Sequence, residues 1–227
     1  MSCSSVSKIQ CLESCPNKYK LTYMDKVPQE SCGAFEKGKS LHFILEHLEY
    51  FDIIRNFFDS DVGKKFYEII KDGLKEKKIG LTVQNKTIVE CDFNDKNCLI
   101  RGVIDVISSN NIIDYKSGKY IEYNNQKWLQ LEFYALWLFS TSNYDEIHVH
   151  YVYIEHSKVN SKTFKRSEYN TLVKNVFSKI NTVIKYERNP TTEHNISPLC
   201  DYCGVRKYCK YYESANDDSL SLNKINF

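Results

Sequence analysis

The length, composition and charge of the chain already restrict the class of protein. Its 227 residues, of which 42% are hydrophobic and 14% aromatic, can bury one substantial core. Its 31 basic and 29 acidic side chains leave a net charge of +2, which excludes a protein that is basic throughout and confines any polyanion site to a local patch.

The sequence has no recognisable targeting or membrane segment. Its start, "MSCSSVSKIQCLES", lacks a basic stretch followed by an apolar one, and no apolar run approaches the roughly 18 residues of a membrane span. We therefore expect a cytoplasmic protein with one domain over residues 1–213 and a flexible polar tail over 214–227. Nine cysteines, an odd number, favour free thiols and metal ligands over a disulfide framework in a reducing compartment.

Helices are predicted for the first part of the chain. Ser7 and Gln10 have the spacing of a capped short helix that leads into "SCPNKYKLTY". Apolar residues recur at helical spacing in "GKSLHFILEHLEYFDIIRNFF". A further helix is predicted for "VGKKFYEIIKDGLKEKK", with its lysines on a solvated face.

The central part of the chain changes to the pattern of strands. The segments "KTIVECDF", "CLIRGVIDVIS" and "NIIDYKSG" are short, rich in β-branched residues and separated by turn residues. A helix is predicted for "NNQKWLQLEFYALWLFSTS", a strand for "EIHVHYVYIEH" and a helix for "SEYNTLVKNVFSKINTVIKYE". This order of elements predicts a mixed α/β or α+β fold.

Two aspartates and a lysine stand in neighbouring predicted strands. Asp105 and Asp114 flank the turn "SSNN", and Lys116 shares a strand face with Asp114 because side chains on a strand alternate. Two buried carboxylates close together are costly unless a divalent cation lies between them. The alternative is that both aspartates cap turns and that Lys116 points to solvent beside Gly118.

The segments "GKSLH", "GVID", "DYK" and "QLEFY" together resemble the RecB-like branch of the PD-(D/E)xK nucleases. In that branch a Gly-x3-His helix precedes an acid-bearing strand, a (D/E)xK strand and a Gln-x3-Tyr helix. The resemblance implies a restriction-endonuclease-like mixed sheet flanked by helices. It covers most of the chain and is strongest for the small viral and CRISPR-associated RecB-like exonucleases and for the exonuclease V group.

The resemblance also implies roles for particular residues. It implies that Mg or Mn is bound by two carboxylates, one histidine and one main-chain carbonyl, which are Asp105, Asp114, His42 and Tyr115. Lys116 would be the catalytic lysine, and Gln130 and Tyr134 would share one helix face at i, i+4. Taken singly, His42 has the alternative of a packed or surface histidine, and the Gln130–Tyr134 pair that of an amphipathic coincidence. Glu90 lies where some relatives carry a further acid.

Three cysteines near the end of the chain form a metal-ligand pattern. In "CDYCGVRKYC" they are Cys200, Cys203 and Cys209. The stretch "SVSKIQCLESCPNKYKLTY" resembles the N-terminal signature of iron-sulfur RecB-like nucleases, which implies Cys15 as the fourth ligand of a [4Fe-4S] cluster joining the two ends of the chain. Four thiolates suit zinc equally well, and Cys11 is the alternative to Cys15. The other cysteines, Cys3, Cys32, Cys91 and Cys98, are interpreted as reduced thiols.

Three functional hypotheses follow. The first is a metal-dependent DNA nuclease, an exonuclease on single strands or DNA ends, with Tyr115, Tyr134 and Trp128 as candidates for base stacking. The second is a DNA-end-binding adaptor in a larger complex, such as one for spacer acquisition or recombination. The third is a structural thiolate-metal protein. The sequence contains no GxxxxGK[ST] loop, so a helicase partner would be a separate chain.

Overall fold

The computed structural model describes residues 3–30, 43 and 55–212. The chain forms two compact units: the first comprises Met1–Val6 and Ala34–Ile180, and the second Ser7–Gly33 and Asn181–Phe227. His42, Cys32, most of the helix predicted around them and the tail over 214–227 lie outside the described residues. None of the helices in the described ranges has the length and apolar character needed to cross a membrane.

The first unit is built on a mixed sheet, which confirms the predicted fold class. Its seven described strands are β1 (Ser4–Ser5), β2 (Leu74–Gln84), β3 (Thr87–Glu90), β4 (Ile100–Ser108), β5 (Asn111–Lys116), β6 (Glu146–Tyr153) and β7 (Lys158–Lys165). The order is β3-β2-β4-β5-β6-β7, with β1 beside β4. The pairs β1–β4 and β5–β6 are parallel and the others antiparallel.

Six α-helices are described. They are α1 (Val6–Ser14), α2 (Pro16–Tyr19), α3 (Arg55–Asp59), α4 (Asp61–Asp72), α5 (Leu129–Thr141) and α6 (Tyr169–Arg188). A π-helical turn, Lys20–Met24, follows α2, and short 3₁₀ turns include Tyr123–Asn125, Ile154–His156, Pro198–Tyr202 and Arg206–Tyr208. The helices predicted over the segments that become α1, α5 and α6 are therefore confirmed, but α1 begins at Val6, so Ser7 lies inside the helix and the cap predicted there is wrong.

Helices cover both faces of the sheet in the first unit. On one face, Phe57 and Ile70 of α3 and α4 pack with Val106, Ile113 and Val152 of the three central strands. On the other face lies α5, which is apolar on nearly all sides and contributes buried residues from Leu131 to Phe139. A helix without a polar face needs burial all round, and this position between sheet and surrounding segments supplies it.

The segment "LKEKK" is a strand, whereas the sequence predicted the end of a helix. Helix α4 ends at Asp72, Gly73 is extended, and β2 begins at Leu74. A Cβ on Gly73 would come within 2.4 Å of Val106 Cγ1, so the chain turns from helix to strand while touching β4. Pairing of the lysines with β4, such as Lys77 with Ile104, outweighs their helix propensity.

The second unit joins the two ends of the chain. Cys15 caps α2 and Pro16 occupies its first turn, where the missing N–H costs nothing. Tyr186 near the end of α6 donates a hydrogen bond to the carbonyl of Pro16 at 2.9 Å, and Asn195 donates one to the carbonyl of Ser14 at 2.7 Å. These contacts bring the C-terminal cysteine segment beside α2.

Candidate active site

The hairpin of β4 and β5 brings Asp105 and Asp114 together. Its pairs run from Ser108–Asn111 to Val106–Ile113, and the next position along the two strands is Asp105 beside Asp114. Both side chains are buried, at 8% and 2% exposure. Two acids held this close with so little water are a costly arrangement that needs cations or hydrogen-bond donors to offset it.

A main-chain donor satisfies Asp105. Its Oδ2 accepts a hydrogen bond of 2.7 Å from the N–H of Tyr115, which follows Asp114 on β5. The regular pairing of β4 with β5 ends at Val106–Ile113. Beyond it, the Tyr115 N–H bonds to the Asp105 carboxylate instead of to a main-chain carbonyl of β4. Asp105 is thereby fixed against the strand that carries Asp114.

Lys116 provides the cation next to Asp114. Its Nζ lies 2.5 Å from Asp114 Oδ2 and donates a hydrogen bond of 3.1 Å to Gln130 Oε1 on α5. The same ammonium lies 4.7 Å from the ring centroid of Tyr151 on β6. About a third of the lysine side chain is exposed while the aspartate is buried. The lysine therefore stands between a buried acid and solvent.

A chain of hydrogen bonds continues from Gln130 to the sheet. Gln130 Nε2 donates to Tyr134 Oη at 3.0 Å, and this hydroxyl donates to the carbonyl of Val103 on β4 at 2.5 Å. Burial, and after it the charge of Asp114, raises the pKa of Tyr134 well above the ordinary value. Tyr134 is therefore a protonated donor, and it anchors the side chain that holds Lys116.

The remaining sequence-predicted site residues differ in position. His42 lies outside the described residues. The Tyr115 ring is 4% exposed and packs in the core cluster with Phe57, and its pKa is raised by burial. Glu90 on β3 accepts a hydrogen bond of 3.1 Å from the indole N–H of Trp137, so its carboxylate contacts α5. The metal-binding role predicted for the Tyr115 carbonyl stays a prediction.

In the second unit, four cysteines line one cavity of about 130 Å³. They are the four predicted ligands, Cys15, Cys200, Cys203 and Cys209, and Cys11 is absent from the described lining. Three of the sulfurs accept N–H hydrogen bonds: Cys15 from Lys18, Cys200 from Ser197 and Cys209 from the Asn17 amide. Across residues 3–30, 43 and 55–212, no three histidine, cysteine or acidic side chains are grouped so as to hold a metal ion. The four-cysteine metal site stays a prediction.

Comparison with known proteins identifies the family. The family model described as "PD-(D/E)XK nuclease superfamily" matches residues 72–210, which is more than half of the 227 residues. The chain belongs to this superfamily. No curated protein matches the sequence.

Two solved structures are similar to the superfamily member described here. A protein from Eubacterium rectale named "Putative exonuclease" has a TM-score of 0.52 at 12% identity, with 92% of this chain and 88% of that chain covered. The crystal structure of SSO0001 has a TM-score of 0.47 at 16% identity, with 92% and 87% covered. At this level of identity the likeness to the Eubacterium rectale protein concerns the fold.

Gly102 is a residue of the site that sequence reasoning missed. A Cβ on Gly102 would come 2.9 Å from Phe133 Cε1 and 3.0 Å from Tyr134 Cε1. The absence of a side chain on β4 therefore lets α5 approach until Tyr134 reaches the Val103 carbonyl. The glycine of "GVID" was the available signal, since a glycine within a strand often marks a close approach of another group.

Glu76 is a second missed residue. It has φ of 50° in the middle of β2, between the pairs Lys75–Val106 and Lys77–Ile104, and so stands across from Asp105. On a regular strand, residues four apart lie on the same face of the sheet. On β4, Gly102 faces α5, whereas Val106 packs with Ile70 on the opposite face, so the alternation of side chains is interrupted between them. Such irregularities redirect side chains and are common beside active sites. No local pattern in the sequence signals this one.

Three cysteines interpreted as unrelated thiols lie together in the first unit. The pKa of Cys98 is lowered by hydrogen bonds from Cys3 first and also from Cys91, and that of Cys91 is raised by burial and by Cys98. Cys91 and Cys98 sulfurs both lie 3.0 Å from the point where a Gly80 Cβ would stand. The group joins β1, the end of β3 and the start of β4 through sulfur contacts.

Proposed function

We propose that the protein is a metal-dependent deoxyribonuclease that hydrolyses phosphodiester bonds in single-stranded DNA or at DNA ends, most simply as an exonuclease. One observation carries the proposal: Lys116 bridges buried Asp114 and Gln130 beside Asp105. Membership of the PD-(D/E)XK nuclease superfamily supports the reaction class. The choice of single strands and ends rests on the family resemblance and on the aromatic side chains around the site.

The acid pair fits a hard divalent cation. Mg²⁺ is usually held by one or two carboxylates together with water and substrate phosphate, and Asp105 and Asp114 supply two buried carboxylates side by side. We assign both to Mg or Mn, with the Tyr115 carbonyl and His42 as further ligands. The cation, when bound, would polarise a phosphate oxygen and stabilise negative charge on it.

We assign Lys116 the role of a second positive group, beside the metal ion, that stabilises negative charge on the phosphate. Water attacks phosphorus and releases a proton, the bond to the leaving sugar oxygen breaks, and that oxygen takes up a proton, so one water is added across the broken bond. Negative charge grows on the phosphate as this happens, and an oriented ammonium in a partly desolvated site stabilises it. Gln130, tied to Tyr134, fixes the direction of the Lys116 side chain before substrate arrives. Asp114 holds the ammonium at this position through their ion pair.

We also propose that Cys15, Cys200, Cys203 and Cys209 hold a [4Fe-4S] cluster with a structural role. Their cavity of about 130 Å³ has room for a group of atoms, whereas a single zinc ion draws four sulfurs to about 2.3 Å from one point. N–H donors to three of the sulfurs orient these side chains, as outer contacts do for the ligands of such a cluster.

The nuclease proposal is tested with end-labelled single-stranded DNA, a circular single strand and blunt duplex, each incubated with Mg, Mn or EDTA. The expected result is cleavage of linear single strands with either metal, slower cleavage of blunt duplex and none in EDTA. Resistance of the circle identifies an exonuclease, and its cleavage would replace that part of the proposal by an endonuclease. Equal cleavage in EDTA would contradict metal dependence.

A further inference from the structure

A row of aromatic rings leads away from Lys116. The ring of Tyr151, under the Lys116 ammonium, lies 5.5 Å from the Trp128 ring at an interplanar angle of 33°, and Trp128 lies 5.3 Å from the Tyr123 ring. Exposure increases along this row from buried Tyr151 through half-buried Trp128 to Tyr123, which is 47% exposed. We call these three residues the aromatic strip.

Hydrogen bonds from strands β6 and β7 hold the aromatic strip in place. Tyr151 Oη donates to the carbonyl of Lys127 at 3.2 Å, and Tyr153 Oη donates to Gln126 Oε1 at 2.6 Å. Asn160 on β7 donates to the carbonyl of Ile121 at 2.8 Å. These bonds attach the segment between β5 and α5 to the face of β6 and β7. The exposed rings are therefore preorganised, and little conformational entropy is lost when a ligand binds on them.

Positive charge accompanies the rings. Lys162 Nζ on β7 lies 5.6 Å from the Trp128 ring, and Lys127, next to Trp128, is exposed. Two acids lie nearby: Glu122, next to Tyr123, is exposed, and Glu132 has a pKa that burial raises and that Lys162 and Lys179 both act to lower. Together with Lys127, the three lysines outnumber the two acids beside the strip. Aromatic faces next to lysines suit a strand of alternating bases and phosphates.

We propose that the aromatic strip is the path along which single-stranded DNA reaches Lys116, with bases stacked on Tyr123 and Trp128 and phosphates beside Lys127 and Lys162. This inference rests on the proposed function and names where its substrate lies. It replaces the expectation that Tyr115 and Tyr134 stack on bases, since both rings are buried. Base stacking needs unpaired bases, so the strip also accounts for a preference for single strands.

Binding in EDTA separates this path from catalysis. Fluorescence anisotropy of a labelled oligodeoxythymidylate is measured for wild type, Tyr123→Ala, Trp128→Ala and Lys162→Gln, with a duplex of the same length in parallel. Each aromatic substitution should weaken single-strand binding by about 10-fold or more and duplex binding much less. Lys162→Gln should weaken both and reduce the slope of log affinity against log salt by about 1.

Matched controls lie at the other end of strands β6 and β7. Tyr144 is 38% exposed just before β6, and Lys165 is exposed at the end of β7, so Tyr144→Ala and Lys165→Gln should bind as wild type does. Because Trp128 packs on Tyr151, thermal melting checks that Trp128→Ala is folded. If Trp128→Ala is unfolded, the result for Tyr123→Ala alone tests the path.

The outcomes distinguish the path from the proposed function. Wild-type binding and cleavage of single strands, with unchanged binding by Tyr123→Ala, would overturn the path and leave the nuclease proposal standing. Equal losses on single strand and duplex would also overturn stacking on the strip. A wild-type protein that neither binds nor cuts DNA in any metal would overturn both proposals.

Discussion

Gln130 Oε1 accepts a hydrogen bond of 3.1 Å from Lys116 Nζ while its own amide donates one of 3.0 Å to Tyr134. The two bonds use both ends of one amide, so the orientation of Lys116 depends on a hydroxyl that is itself bonded to β4. Helix α5 thus positions Lys116 of β5 through Gln130.

Loss of this positioning should lower cleavage without abolishing it. We expect Gln130→Ala to reduce kcat about 10- to 100-fold, since hydrogen bonds to charged groups contribute roughly 1.5–3 kcal/mol, and Tyr134→Phe to reduce it less. Steady-state kinetics on single-stranded DNA measure both effects. Ser140→Ala, on the same helix but hydrogen-bonded to Leu136 and Tyr169, should cleave as wild type does. Unchanged kcat in Gln130→Ala would contradict the positioning role.

Gly102 should not tolerate a methyl group. In Gly102→Ala, the new Cβ meets the buried rings of Phe133 and Tyr134 at about 3 Å, and separating them costs on the order of 1–3 kcal/mol. We expect a lower free energy of unfolding in urea and a lower kcat, because Tyr134 moves with its ring. Gly118→Ala is the matched control, since nothing lies within 4 Å of its Cβ position. Equal stability of the two variants would contradict the close approach of α5.

His150 should make the protein sensitive to mild acid. Burial lowers its pKa from 6.5 to about 4, and its ring nitrogens contact Ser161 and Asn111. The unfolded chain therefore takes up this proton first, and stability on the order of 2–3 kcal/mol, present above pH 6.5, is lost as pH falls toward 4.

The His150 effect is measured by urea unfolding across that pH range. His150→Gln should flatten the decrease in unfolding free energy between pH 6.5 and 4, because glutamine does not titrate. His156→Gln changes an exposed histidine and should keep the wild-type slope. A His150→Gln slope equal to that of wild type would show that another group governs the acid sensitivity.

The cysteine cavity should carry iron. Protein purified without oxygen is expected to absorb visible light, and Cys15→Ser, Cys200→Ser, Cys203→Ser and Cys209→Ser should each bleach it and lower the melting temperature. Cys11→Ser is the control that should keep both properties, and Cys3→Ser should keep the colour. A bleached Cys11→Ser beside a coloured Cys15→Ser would reassign the N-terminal ligand. Colourless wild type with one zinc per chain would replace the cluster by zinc.

Much of the sheet was predictable because its signals are local. The β-branched runs around Asp105 and Asp114 have the period of strands, and the turn between them sets their pairing. The segment after Gly73 was mispredicted because its lysines suit a helix and only the distant strand β4 makes it a strand. Local propensity fails where the deciding partner is remote in sequence.

The side chains of the site were less predictable than its strands. Helix α5 is apolar on nearly every face, so its sequence does not reveal that Tyr134 is buried while Trp128, just before the helix, is partly exposed. The left-handed Glu76 depends on long-range pairing, as does the grouping of Cys3 with Cys98. Such features follow from tertiary contacts and leave no periodic pattern.

The central claim is that Asp105, Asp114 and Lys116 form one metal-dependent hydrolytic site. Its most direct test is cleavage of end-labelled single-stranded DNA by folded Asp114→Asn and Lys116→Gln proteins in Mg or Mn, with Glu90→Gln as the control acid whose carboxylate contacts Trp137. Both site variants should lose detectable cleavage while their melting curves remain cooperative, and the control should cleave as wild type does. Wild-type cleavage by folded Asp114→Asn, or cleavage that persists in EDTA, would contradict the account.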